Sequence, residues 1–125
     1  MSKYLVISTS VELLRLAVDE VMCISSDGNY STIVLDSGET KVVSIQLGKM
    51  EKMIHDQLGD EENLFFRIGK SLIVNHDHIF YINPSRQILE LSNRKGFKKT
   101  FSASKVALAG LKDYIDNLIP GNNHE

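Results

Sequence analysis

The chain has 125 residues and a mass of 14.0 kDa, with 42% hydrophobic and 24% charged residues, the balance of one globular domain and not of a disordered tail. Its net charge of −2 and pI of about 6.1 do not by themselves point to nucleic acid, and its single cysteine, Cys23, excludes an internal disulfide framework. No apolar run approaches the roughly 20 residues of a membrane-spanning helix. The start, Met1-Ser2-Lys3-Tyr4-Leu5, lacks the long apolar stretch and cleavage site of a signal peptide, so a cytoplasmic single domain is expected.

Strand patterns dominate in chain order. Residues 1–10, with Tyr4-Leu5-Val6-Ile7, read as an N-terminal extension or edge strand that could also make a dimer contact. In Glu12–Val18, Leu14, Leu16 and Val18 fall on one face at period two, the mark of a half-buried strand. Val21–Ile24 is a short apolar run closed by the turn-rich Ser25–Asn29. Thr32–Leu35 and Thr40–Val43 flank Asp36-Ser37-Gly38-Glu39, a hairpin signal. Leu47, Met50, Ile54 and Leu58 then recur at helical spacing; Ser44 is the expected N-cap and Gly59 the stop. Glu51, Lys52, Asp56 and Gln57 form the wet face of this helix, and His55 lies on its exposed side.

Strands resume at Leu64–Ile68, Leu72–Val74 and Ile79–Ile82. Asn83–Arg86 reads as a turn because Pro84 presets the backbone and cannot donate to a ladder. Gln87–Leu91 and Phe97–Phe101 form a last hairpin across Ser92–Gly96. Ser102 is the expected cap of a final helix carrying Leu108, Leu111, Ile115 and Leu118, which ends before Pro120. The expected architecture is mostly β: a compact, multi-sheet antiparallel domain over residues 11–118 with one internal and one C-terminal helix, followed by a flexible tail at 119–125. No repeat or low-complexity tract interrupts it.

Charge is unevenly distributed. Arg86, Arg94, Lys95, Lys98, Lys99, Lys105 and Lys112 face only Glu90 between positions 86 and 112, a local excess of +6 that leaves −8 for the rest. Acids gather at Glu51, Asp56, Asp60, Glu61 and Glu62 and at the C-terminus. Such a layout makes one end of the molecule basic or describes an ordinary solvated hairpin. Catalytic signals are thin. Asp27-Gly28-Asn29 lacks the further ligand positions of a calcium loop. His76 and His78, at i and i+2 of one strand face, have no further ligand at metal spacing. Cys23 sits in an apolar run as a buried small hydrophobe, and no glycine-rich phosphate loop is present. No enzyme activity, cofactor, metal, membrane or small-molecule substrate is expected.

The run Phe65-Phe66-Arg67-Ile68-Gly69-Lys70-Ser71-Leu72-Ile73-Val74-Asn75, followed by Ile79, is more specific. It resembles the signature of the LytTR family of bacterial DNA-binding domains, approximately Phe-x-Arg-x-His-Arg-Ser-x-x-Val-Asn-x-x-x-Ile. Arg67, Ser71, Val74, Asn75 and Ile79 match. Gly28-Asn29-Tyr30, Leu47 with Met50-Glu51, and Ser104-Lys105 also fall in register, so the resemblance covers about residues 11–118. Gly69-Lys70 replaces the usual His-Arg, and Lys105 stands where many members have arginine. Lysine reaches a phosphate or a guanine edge but lacks the bidentate arginine fork.

The resemblance implies a transcriptional regulator that binds duplex promoter DNA sequence-specifically, placing loop side chains, and no recognition helix, in the major groove. Direct repeats and a homodimer on DNA are further implications. By register, the base-reading candidates are Tyr30, Lys70 and Lys105; Asn29, Ser71, Lys98, Lys99 and Ser104 are candidates for phosphate contact or positioning. Tyr30 is equally explained by ring packing at a strand start. Arg67 and Asn75 are expected to tie loop backbone, and alternation along a strand lets only one of Lys98 and Lys99 face DNA. Family members usually carry a partner domain, for which these 125 residues leave no room, so the chain reads as a stand-alone regulator or a piece of a longer one. The competing reading is a protein-interaction module that keeps the fold without binding DNA.

Overall fold

A computed structural model describes residues 3–59 and 64–121; Asp60, Glu61 and Glu62 of the acidic cluster and the tail from Asn122 lie outside the described residues. The elements are β1 (Tyr4–Ser8), β2 (Leu13–Ala17), β3 (Val21–Asp27), β4 (Tyr30–Leu35), β5 (Thr40–Val43), α1 (Leu47–Leu58), β6 (Phe65–Ile68), β7 (Leu72–Asn75), β8 (Ile79–Asn83), β9 (Ile88–Ser92), β10 (Lys98–Ser102) and α2 (Lys105–Leu118). Every strand pairing is antiparallel. The strands form three sheets, β1-β2, β10-β9-β8 and a central β5-β4-β3-β7-β6.

The central sheet is covered on both faces. On one side Val21, Ile24, Ile33 and Ile73 pack with Leu47, Met50 and Ile54 of α1 and with Leu5, Ile7 and Leu16 of the β1-β2 hairpin. On the other side Met22, Cys23, Val34, Leu72 and Val74 pack with Leu89 and Leu91 of the small sheet and Leu108 and Leu111 of α2. This explains the unbroken apolar run at 21–24, since a strand buried on both faces has no polar alternation to display. Met22 and Cys23 are consecutive yet share one face because the β3-β4 register shifts between Val21 and Cys23, a β-bulge.

Several boundaries differ from the sequence expectation, each for a local reason. The strand read at Glu12–Val18 is β2, which ends at Ala17, and Val18–Glu20 form a 3-10 turn. β3 runs on to Asp27, so the turn reduces to Gly28-Asn29, with Gly28 at φ +65 in the position where a two-residue hairpin needs a positive angle. Ser44 does not cap α1. The buried Ser31 hydroxyl donates to the Ile45 carbonyl at 2.6 Å and Ile45 is itself buried, which holds the chain extended up to Gln46, the actual N-cap residue. Ser102 does not cap α2. It pairs with Ile88 as the last residue of β10, and Ser104 caps instead, its Oγ accepting from the Ala107 amide at 3.1 Å. His76 and His78 occupy a 3-10 turn instead of sharing a strand face.

The buried Asn75 ties this turn to the neighbouring strand β3. Its amide donates to the Val21 carbonyl at 3.0 Å, and its side-chain oxygen accepts from the Asp77 amide at 3.0 Å. Asn75→Ala leaves buried backbone groups without these partners. It should lower unfolding free energy by about 1–3 kcal/mol in urea titrations, with the denaturant slope unchanged.

Candidate nucleic-acid interface

Three loops leave the domain at one end of the central sheet. The first is the Gly28-Asn29 turn between β3 and β4. Asn29 Oδ1 accepts from Gln46 Nε2 at 2.9 Å, which fastens the turn to the start of α1, and Tyr30 stands half exposed at the head of β4. The second is Gly69-Lys70-Ser71 between β6 and β7. The Ser26 amide donates to the Ser71 carbonyl at 2.8 Å, so the two turns emerge side by side.

Arg67 holds the second turn from within. Its Nε donates to the Gly69 carbonyl at 3.1 Å and its Nη2 to the Lys70 carbonyl at 3.0 Å, while Nη1 pairs with Glu51 of α1 at 2.9 Å. Arg67 and Asn75 both tie backbone, as their residue types suggest. The third loop is the link from β10 into α2. The Ala103 amide donates to the Gln87 carbonyl at 3.3 Å, and the capped Ser104 turns the chain into the helix. A cleft of about 300 Å³ separates the second and third loops, with Ser26, Gly69, Ser71, Phe101 and Ser104 among its walls. Lys70 and Lys105, each adjacent in sequence to a wall residue, are exposed.

Asn29, Tyr30, Lys70, Ser71, Ser104 and Lys105 are thus brought to one end of the molecule. Lys98 and Lys99 are not. Lys98 opens β10 opposite Ser92, about 13 Å along the strand from Ser102 at roughly 3.3 Å per residue. Its ammonium lies 4.4 Å from the Phe80 ring centroid, whereas Lys99 is half buried beside Phe101 on the alternate face. Other cations of the 86–112 segment are also dispersed. Arg94 donates to the carbonyls of Asp77 and Ile79 at the far end of the small sheet, and Lys112 pairs with Asp116 at 2.9 Å. The basic segment is therefore not one continuous patch. Gln46 carries no sequence signal of its role, and Glu51, though in register with the family pattern, carries none that links it to Arg67, because each partner lies 16 or 17 residues away and belongs to a different element.

Cys23 is wholly buried, and burial pushes its thiol up to about 12 against the opposing pull of the Lys99 ammonium, so little nucleophilic thiolate exists at neutral pH. Among the described residues, no three His, Cys, Asp or Glu side chains are grouped to hold a metal. No helix among them is long and apolar enough to cross a membrane.

His78 is buried at the end of the sheet opposite the three loops. Its Nε2 lies 3.9 Å from Asp36 Oδ2, and its Nδ1 has no partner. Burial holds its pKa below the ordinary histidine value, outweighing the pull of Asp36, Asp77 and Asp19 and reinforced by Arg94. The unfolded chain then takes up a proton more readily than the folded one. Stability should be unaffected by this group above about pH 6.5 and fall as pH drops below it. Urea midpoints measured from pH 7.5 to 5 should show this slope, and His78→Gln should flatten it.

The sequence profile described as the LytTr DNA-binding domain matches residues 12–116. Among solved structures, the fold is similar to the LytTr DNA-binding domain of a protein described as a methyl-accepting/DNA response regulator from Bacillus cereus. The TM-score is 0.61 at 18% identity, over 90% of this chain and 95% of that one. Among curated proteins, none matches the chain.

Proposed function

This chain belongs to the LytTR family of DNA-binding domains, and on that premise we propose that it is a transcriptional regulator that reads duplex DNA through its three clustered loops. The observation that carries this reading is their convergence. The turn at Asn29-Tyr30, the turn at Lys70-Ser71 and the capped start of α2 at Ser104-Lys105 leave one end of a sheet packed on both faces. Side chains mounted on such a frame keep their spacing, which reading successive base edges requires.

Tyr30, Lys70 and Lys105 are the proposed base readers in the major groove. Each is exposed, and each stands in or directly beside a separate loop. Asn29, Ser71 and Ser104 supply short polar groups suited to phosphate contact and register. Lys98 and Lys99 stand toward the Asn93 end of the small sheet, away from the three loops, and are left out of the proposed reading surface. A lysine ammonium is a point charge without directional pairing, so each lysine contact selects guanine less sharply than an arginine fork.

DNA binding should weaken steeply as salt rises, with each neutralised phosphate contributing about 0.9 to the log–log slope. Fluorescence anisotropy between low and physiological salt measures it, and a flat response would favour the protein-interaction reading. On a duplex selected from a random pool, Lys70→Ala and Lys105→Ala should each cost about 1–3 kcal/mol and relax preference at different base positions. If these lysines touch only phosphates, both variants should weaken all sequences alike and flatten the slope by about one unit.

A further inference from the structure

We propose that Glu51 is a positioning residue for DNA reading, acting through Arg67 on the backbone of the Lys70 turn. The inference rests on the DNA-binding reading above and adds to it a residue on α1 that lies outside the three loops.

Arg67 lies in β6 one residue before its end, its side chain reaches forward to the turn, and its guanidinium is nearly spoken for. Nε and Nη2 hold the two successive carbonyls of Gly69 and Lys70, and Nη1 is taken by the Glu51 carboxylate. Two carbonyls on one planar fork fix the orientation of the peptide planes flanking Lys70, and with them the direction of its side chain. The fork needs a third point to keep its own plane, and Glu51 provides it from a different element. Helix α1 is in turn seated in the core by Leu47, Met50 and Ile54. Gly69 at φ +62 leaves the turn without a side chain of its own to brace it. Glu51 is half exposed, so the ion pair itself contributes little to stability. Its consequence is geometric.

Electrostatics makes the proposal sharply testable. A carboxylate near the docking face repels DNA, so deleting its charge should tighten binding if charge were all it supplied. Positioning demands the opposite sign. The Arg67 side chain is only 25% exposed, which leaves it poorly placed to serve as a phosphate contact in its own right.

The experiment measures anisotropy on a duplex selected from a random pool, across salt, for wild type, Glu51→Gln, Arg67→Lys and Lys70→Ala, and for Glu51→Gln combined with Lys70→Ala. Glu51→Gln and Arg67→Lys should each weaken binding to the selected site about threefold to tenfold, the size of coupling between contacting side chains. Both should keep the wild-type salt slope, whereas loss of a phosphate contact removes about 0.9 from it. In the Lys70→Ala background, Glu51→Gln should have no further effect. Amide resonances of Lys70 and Ser71, which follow the clamped carbonyls, should shift in the DNA-free Glu51→Gln protein while those of the core strands stay in place. Unchanged or tighter binding by Glu51→Gln overturns the proposal, as does a full additional loss in the Lys70→Ala background. Wild-type protein that binds no duplex at low salt overturns the function reading itself, a result distinct from either.

Discussion

Burial of β3 and β7 on both faces is the constraint from which the rest of this domain follows. A strand covered on one side can be stabilised by a single layer, but these two need apolar partners above and below. Helix α1 and the β1-β2 hairpin supply one cover; α2 and the small sheet supply the other. The chain therefore cannot be trimmed to its central sheet, and Leu5 and Ile7 of β1 are as fully buried as any residue of β3. The same enclosure leaves the two ends of β3 and β7 open to solvent. One end gathers Asn29, Lys70 and Ser104; the other gathers the turns around Glu20, Asp36, Asp77 and Asn93, which bond to one another through the Asp36 amide and carbonyl and through Arg94.

This polarity separates two tasks. The acidic end is closed by hydrogen bonds among its turns, which stabilise the domain, and it encloses the buried His78, whose protonation the fold disfavours. The opposite end carries the exposed Lys70 and Lys105; Arg67, paired with Glu51, holds the backbone of the Lys70 turn, and Gln46 fastens the Asn29 side chain. Net charge conceals the division. The molecule is acidic as a whole, yet the groups suited to DNA lie where the acids are few or already paired.

Much of this architecture is legible in the sequence. Period-two alternation locates β2, turn residues locate the hairpins, and the spacing of Leu47, Met50 and Ile54 locates α1 and its buried face. The boundaries are less legible, because tertiary contacts decide them. Ser44 and Ser102 are good caps by residue type, but Ile45 is drawn into the core and Ser102 is retained by pairing with Ile88. The bulge at Val21–Cys23 has no local marker; it sets Met22 and Cys23 together against the cover formed by α2 and the small sheet. In the candidate site, the motif residues identify the loops, while the bonds from Gln46 and Glu51 cross between elements and leave no spacing to read. The linear excess of positive charge at 86–112 misleads for the same reason, since antiparallel strands send neighbouring cations to opposite ends of a sheet.

The two outer strands of the central sheet, β5 and β6, are only four residues long. An open sheet with long bare margins invites a neighbouring molecule to extend its ladder, the first step toward fibres. Here each margin offers few free amides and carbonyls, and Lys41 sets a charge on the exposed face of β5. The domain is thereby guarded against polymerising through its own scaffold, so that its concentration can rise without irreversible self-association.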